Sequence, residues 1–280
     1  NFDFFFKSIK NVFTGKDIVF GNLETPIAGE TLKYTGYPTF NAPEAYLESL
    51  SEAHFTHLSL ANNHSLDRRA EGLKNTILNV MKHGFVGVGA RQNPTEKPWS
   101  LFEKNGLKIG FLAYTYATNG FTLSKENAHM LDYIDREKIE KDISLLKLEN
   151  PDLVVISLHM GDEYKRTPNT QQVTLMQSLC DAGANIIIGA HPHVLEPVTF
   201  LSSKNGTKCL VTYSLGNFIS GMDVVYTDLG GILEVTAKKE GGQIYVTPNF
   251  IPTWVRHGRE TTGRETFEVL KLTDILTNLT

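Results

Sequence analysis

Six side chains of this 280-residue sequence could hold a cation or move a proton, and all six stand where short apolar runs break off: Glu24, Asn63, His64, His159, His191 and His193. The densest case is "NIIIGAHPHVLEP" (185–197), where a run fit for a buried strand passes without a spacer into two imidazoles around a proline. Pro192 stiffens the backbone between them, and an extended His-x-His segment projects both rings to one side. Imidazoles with a carboxylate and a side-chain amide make a mixed nitrogen–oxygen ligand set. Such a set suits Mn, Fe, Zn or Co better than a thiolate site or an all-oxygen calcium cage. Ligands scattered one per strand suit a catalytic centre, because structural zinc favours closely spaced pairs with cysteine. A carboxylate and an amide oxygen can also help join two ions about 3.5–4 Å apart, the arrangement used on phosphate esters.

Each residue also has a plainer reading. His191 and His193 could be a hydrogen-bonded pair in a tight turn, His159 a satisfied strand-end histidine, and Glu24 a cap on the turn before Pro26. Asn62, Asn63 and Asn217 are of a type common in turns. Glu163, close behind His159, is placed to orient a histidine ligand from behind. Asp67 is expected to cap the following helix. His257 and Arg256 either reach the site and meet an anionic substrate or lie on the surface. His54, His57, His83 and His129 read as structural or surface residues.

The elements that must position these groups alternate along the chain. Strands are expected at 16–24, 56–64, 85–90, 108–116 and 152–164, with helices at 42–53, 68–84 and 135–150 between them. A helix over 167–183, capped by Thr167 and stopped by Gly183, leads into the strand before His191. From about residue 208 the character turns to β, with a hairpin around "EGG" (240–242) and then a C-terminal helix over 265–279. "GNLE", "ANNH", "SLHMGDEY", "GAHPH" and "SLGNF" each follow one of these strands. Ligands of open α/β sheets bind beyond the carboxyl ends of the strands, so the five clusters should converge. The order of elements implies one α/β domain over 1–280, with two sheets or with helices outside a two-sheet core.

Composition narrows the class further. Hydrophobic residues make up 41% and charged residues 21%, a folded globular balance. A net charge of -4 argues against nucleic acid as a partner and against a polybasic membrane surface. No apolar run is long enough to span a bilayer. The chain opens without Met on "NFDFFFKSIK", so its natural N-terminus, with any anchor or export signal, is expected upstream. Cys180 and Cys209 are two buried thiols or one disulfide.

The succession GNLE, ANNH, SLH-x-G-x-EY, G-x-HPHV and SLGNF closely resembles the CapA-type poly-γ-glutamate capsule biosynthesis proteins, a branch of the calcineurin-like metallophosphoesterases. The resemblance runs from about residue 16 to 255. It implies a four-layer αββα sandwich. It implies Glu24 as the metal-bridging acid, Asn63 and His159 as ligands, and His191 with His193 as the ligand pair. His64 would contact phosphate or protonate the leaving group. Beside the set that the resemblance implies, the residues themselves offer Glu163, Asn217 and His257 as supporting or substrate-contacting groups. The implied cofactor is a divalent transition metal, two ions of Mn, Fe or Zn in an intact chain. The family's first strand carries a Gly-Asp pair that nothing before "GNLE" matches, since Asp3 sits among phenylalanines and Asp17 inside the strand. That strand is therefore expected to be missing here, leaving one ion or none. The implied partners are an anionic polymer or phosphoester and membrane-bound capsule synthesis proteins, at the extracellular face of a bacterial cytoplasmic membrane. Two functions remain open: a metal-dependent phosphoesterase, and an assembly or polymer-binding component that uses the same pocket without hydrolysis.

Overall fold

The computed structural model describes residues 2–259, 261, 263 and 265–277. Its first sheet is parallel, in the order β1 (Phe20–Asn22), β2 (His57–Ser59), β3 (Val86–Val88). The helices α1 (Ala45–Glu52) and α2 (Arg69–Lys82) make its crossovers. The second sheet contains β4 (Ser100–Lys104), β5 (Leu107–Thr115), β6 (Leu153–His159), β7 (Ile186–Ala190), β8 (Val198–Ser202) and β9 (Lys208–Thr212). Its order is β4-β5-β6-β7-β9-β8, parallel from β5 to β9 with antiparallel edges. Its crossovers are α3 (Arg136–Lys147) and α4 (Thr170–Ala182). A third, antiparallel sheet joins β10 (Leu229–Glu240), β11 (Gln243–Arg259) and β12 (Glu265–Lys271), followed by α5 (Leu272–Thr277).

The layers follow from side-chain alternation in the second sheet. Successive strand residues point to opposite faces, and here both faces are buried, which is why the central strands read as unbroken apolar runs. Phe111, Ala113, Val155, Ile186 and Leu210 join one core with Leu58, with Leu47 and Leu50 of α1, and with Leu73, Ile77 and Val80 of α2. Leu112, Val154, Ile156, Ile187 and Val211 join the other, with Ile139 and Ile143 of α3 and Met176 and Leu179 of α4. Helices therefore flank a two-sheet centre, the four-layer αββα arrangement. The free thiols of Cys180 and Cys209 are both buried in the second of these cores.

The segment expected as a helix over 265–279 is different over its described part. Residues 265–271 pair with β11 from Glu265↔Arg259 to Lys271↔Thr253, and only the short α5 follows. Val269 is fully buried in the first core, a placement that strand alternation supplies and that sequence periodicity over so few residues does not reveal. The rest of that expected helix lies outside the described residues. The cap of α4 is Asn169, not Thr167: its side chain accepts from Gln172 N while Gln172 Oε1 accepts from Asn169 N. Gly183 ends α4 in the left-handed conformation at φ 108°. The "EGG" hairpin turns at Gly241 and Gly242 between Glu240 and Gln243. The aromatic opening forms two short 3-10 turns whose Phe6, Ile9 and Phe13 are buried in the first core. Among the described residues no helix is long and apolar enough to cross a membrane.

Candidate metal centre

The carboxyl ends of parallel strands from the first two sheets meet at one place. Glu24 follows β1, Asn62–His64 follow β2, His159 ends β6, and His191 and His193 follow β7. One carboxylate oxygen of Glu24 and one ring nitrogen each from His191 and His193 lie within 4.8 Å of one another. Ligand atoms about 2.1 Å from a zinc-sized ion lie within about 4.2 Å of each other, so small side-chain adjustments would close this set around a cation. His159 adjoins it, with Nε2 at 2.9 Å from Asn63 Oδ1 and 3.7 Å from Glu24 Oε1. The ring centroids of His159 and His191 are 5.0 Å apart, and those of His191 and His193 5.9 Å.

The two histidines around Pro192 converge by a different route from the expected extended segment. His191 has φ 108° and His193 φ 61°, both in the left-handed region. The backbone therefore turns at each histidine, a strained geometry that neighbouring structure must hold in place. Tyr164 N donates to Pro192 O at 2.8 Å, Glu196 N to Ser214 O at 3.1 Å, and Gln172 Nε2 to Glu196 Oε2 at 2.7 Å. Two glycines make room for the turn. A Cβ on Gly189 would sit 1.9 Å from Tyr213 O, and one on Gly161 (φ 131°) would sit 2.8 Å from both Gln172 Nε2 and Pro192 Cγ.

The electrostatics favour uncharged imidazoles. Burial, with lesser contributions from His193 and His64, pushes His191 down to about 4. Burial, then His191, His193 and His64, holds His159 well below the ordinary range. At neutral pH both rings thus keep a lone pair for a cation. His191 Nδ1 is also buried without a hydrogen-bond partner among the described residues. The Glu24 side chain keeps 26% of its surface open, while burial by the groups around it raises its pKa against the pull of His193, His64 and Asn22. An orphaned ring nitrogen, neutral imidazoles and an adjoining carboxylate fit a divalent transition metal.

Supporting residues complete the arrangement. His193 Nδ1 donates to Asn217 Oδ1 at 2.9 Å, and Asn217 Nδ2 donates to Thr227 O, which fixes the imidazole. Asn217 is therefore more than a turn residue. His64 Nδ1 donates to Asp67 Oδ2 at 2.7 Å, and Phe40 N donates to the same oxygen at 2.7 Å. Asp67 thus holds His64 instead of capping α2, whose N-cap position, Arg68, makes no side-chain cap bond. Asn22 Nδ2 donates to Glu24 Oε2 at 2.8 Å, and Asn62 Nδ2 donates to Asn22 Oδ1 at 3.2 Å, so a pair of amides orients the carboxylate. Nothing local in the sequence marks Asn22, Asn62 and Glu196 as supports. For Asp67 the signal was there, as a His-x-x-Asp spacing.

Three expected residues do not join the ligands. Glu163 is exposed beside the site, where its charge adds to burial in raising the pKa values of Glu24 and Tyr116, and has no histidine partner among the described residues. His257 is exposed on β11, its ring edge-on to Phe267 at 5.1 Å, and its neighbour Arg256 pairs with Glu268. They sit on the ribbon because β12, a strand where a helix was expected, pairs along them. Asp3 accepts from Ser49 Oγ and Asp17 from Asn105 Nδ2, so neither acid before Glu24 supplies a ligand.

Comparison with known proteins shows the family and the fold. The family model described as "Bacterial capsule synthesis protein PGA_cap" matches residues 1–222. The chain is 33% identical over 256 residues to the "PGA biosynthesis protein CapA" of Bacillus subtilis (strain 168), covering 88% of this chain and 64% of that one. It is 35% identical over 226 residues to the "Capsule biosynthesis protein CapA" of Bacillus anthracis, covering 78% and 54%. The chain thus spans less than two thirds of the length of these curated relatives. Among solved structures, the NAD nucleotidase of Haemophilus influenzae superposes with TM-score 0.51 at 15% identity, over 84% of this chain and 47% of that one. A hypothetical protein from Thermus thermophilus gives TM-score 0.52 at 16% identity, over 87% and 90%. At such identities the likeness concerns the fold alone, which is of the metallophosphoesterase type.

Proposed function

The chain belongs to the bacterial capsule synthesis protein family, and from that premise we propose that it serves capsule biosynthesis as a metal-dependent phosphoesterase. The polymer we assign is poly-γ-glutamate, and the place the extracellular face of the cytoplasmic membrane, beside membrane-bound synthesis proteins. The observation that carries the reading is the meeting of Glu24, His191 and His193 within 4.8 Å, next to the His64–Asp67 dyad. Glu24, His191 and His193 would hold one cation. Asn63 and His159, sharing Glu24, would hold a second, weaker one. A divalent ion there supplies Lewis acidity toward a phosphoryl oxygen.

The chain's own residues do the rest. Asp67 fixes the ring of His64 through Nδ1, which leaves Nε2 as the nitrogen that passes a proton to the leaving-group oxygen. Asn217 fixes His193, and Asn22 fixes Glu24. A second reading, a binding component that holds anionic polymer without hydrolysis, has one observation in its favour. Asp3 and Asp17 lie elsewhere, so Glu24 is the one acid that the described residues gather with the histidines.

The test is metal content by mass spectrometry after a manganese or zinc soak, with turnover of an aryl phosphate measured on the same samples. Metal on the wild type, lost in His191→Ala, together with metal-dependent turnover supports the enzyme. Metal without turnover supports the binding component. No metal on the wild type would sink both forms of the metal centre.

A further inference from the structure

Arginine seldom stands without an anionic or carbonyl partner in this protein. Arg68 donates to Leu32 O, Arg91 pairs with Asp132, Arg136 with Glu140, Arg256 with Glu268 and Arg259 with Glu265. Arg69 and Arg166 differ. Among the described residues neither guanidinium has a hydrogen bond or an ion pair, and each lies over an aromatic ring. Arg69 Cζ is 3.5 Å from the centroid of Phe121, and Arg166 Cζ is 4.7 Å from that of Tyr226. Stacking fixes the plane of a guanidinium yet leaves its in-plane N–H fork free for a carboxylate or phosphate. Part of the ordering cost of gripping an anion is then met in advance.

Their positions relate them to the metal centre. Phe121 belongs to the loop whose Asn119 Oδ1 accepts from Asn63 Nδ2 at 3.3 Å, so Arg69 stands at the Asn63 end of the ligand row. Tyr164, two residues before Arg166, stacks on His193 with centroids 6.1 Å apart. Tyr226 adjoins Thr227, whose carbonyl accepts from Asn217, the residue that fixes His193. Arg166 therefore stands at the His193 end. The row Asn63–His159–His191–His193 runs between two exposed, preset anion forks.

Resting on the function proposed above, we infer that the substrate is a chain bearing anionic groups on both flanks of the reacting position, gripped by Arg69 and Arg166. A single small anion would use the centre alone. A chain with repeated carboxylates or phosphates would engage the centre and both forks at once. The two arginines are specificity-determining residues that place the chain, and His64 and the metal ligands act between them.

The experiment measures binding, so that it does not depend on catalysis. Titration calorimetry on the full chain compares four probes: an oligomer of about ten glutamates and inorganic tripolyphosphate, each against its monomer, glutamate and orthophosphate. The variants are Arg69→Gln, Arg166→Gln, the double replacement and Arg69→Lys. Each Gln variant should weaken binding of the oligomeric probe about five- to tenfold, with the double variant weaker again and the monomers unchanged. The salt dependence should flatten by about one counterion per arginine removed. Arg69→Lys should recover part of the loss, since it keeps the charge without the fork. A response confined to oligoglutamate identifies a polycarboxylate, and one confined to tripolyphosphate a polyphosphate chain. A double variant that binds both as tightly as wild type, or a wild type that binds neither, overturns the inference. The same titrations on His191→Ala separate the two readings: arginine-dependent binding there supports the flanking forks even if the metal centre fails.

Discussion

Replacing Asp67 by Asn separates two roles that the sequence left open for it. As a helix cap, Asp67 would tolerate the change, because Asn and Asp cap almost equally well and the cost would stay below about 0.5 kcal/mol. The structure instead gives its fully buried carboxylate two donors on one oxygen, His64 Nδ1 and Phe40 N, each at 2.7 Å. Asn can keep its oxygen there and preserve the shape, but both bonds become neutral, a loss of about 1 kcal/mol each. Its amide nitrogen then occupies the place of Oδ1, which has no partner among the described residues of the wild type. An unsatisfied buried donor adds about 1–2 kcal/mol. The total, about 3–4 kcal/mol, should lower the melting temperature by roughly 6–16 °C for a chain of this size. Calorimetry measures that shift, and turnover of an aryl phosphate at unchanged metal content measures the consequence for His64. A variant that melts within a degree or so of wild type would refute the dyad and restore the cap.

Further outcomes follow from other positions. His57 is buried beside Phe102 and Phe111, and burial pushes it down to about 4. The unfolded chain protonates it near 6.5 and the folded chain only near 4, so stability should fall as pH drops between those values, by up to about 3 kcal/mol. His57→Phe should remove that part of the acid slope, and parallel melting curves for the two proteins from pH 7 to 4 would contradict it. Asn217→Ala frees the His193 ring and should weaken metal binding about 10–100-fold in a competition titration; unchanged affinity would mean that Asn217 serves only its turn. Gly189→Ala forces a Cβ to within 1.9 Å of Tyr213 O, and should unfold the chain or lower its melting point sharply. A melting point like that of wild type would show that β7 and β9 can part without cost.

Much of the centre was legible because strand ends carry their meaning locally. A buried apolar run followed by a polar cluster says where a strand stops, and five such stops in an alternating chain imply one crevice. Glu24, Asn63, His159, His191 and His193 were readable in this way, as were the two-sheet architecture and the hairpin at Gly241–Gly242. Residues whose role depends on a distant partner were not. Asn22 orients Glu24 only because Asn62, forty residues on, reaches its oxygen across the β1–β2 pair. Arg69 and Arg166 look like ordinary surface charges until the fold sets Phe121 and Tyr226 beneath them.

Local propensity also gave way to tertiary contacts at the edges. Residues 265–271 became a strand because β11 offered an open ladder and the first core a place for Val269, and neither is visible in seven residues of sequence. Pro192 pointed to stiffness but not to direction: the left-handed turns at His191 and His193 exist because Gln172, Glu196 and Tyr164 hold the loop from outside it. The sequence by itself determined which side chains could bind a metal and at which strand ends they stand, since residue chemistry and hydrophobic period are local properties. Only the tertiary structure decided which of them come within reach of one another, which hold the others still and where the unpaired charges lie. Those are distances between segments far apart in the chain, and they exist only once the sheets have packed.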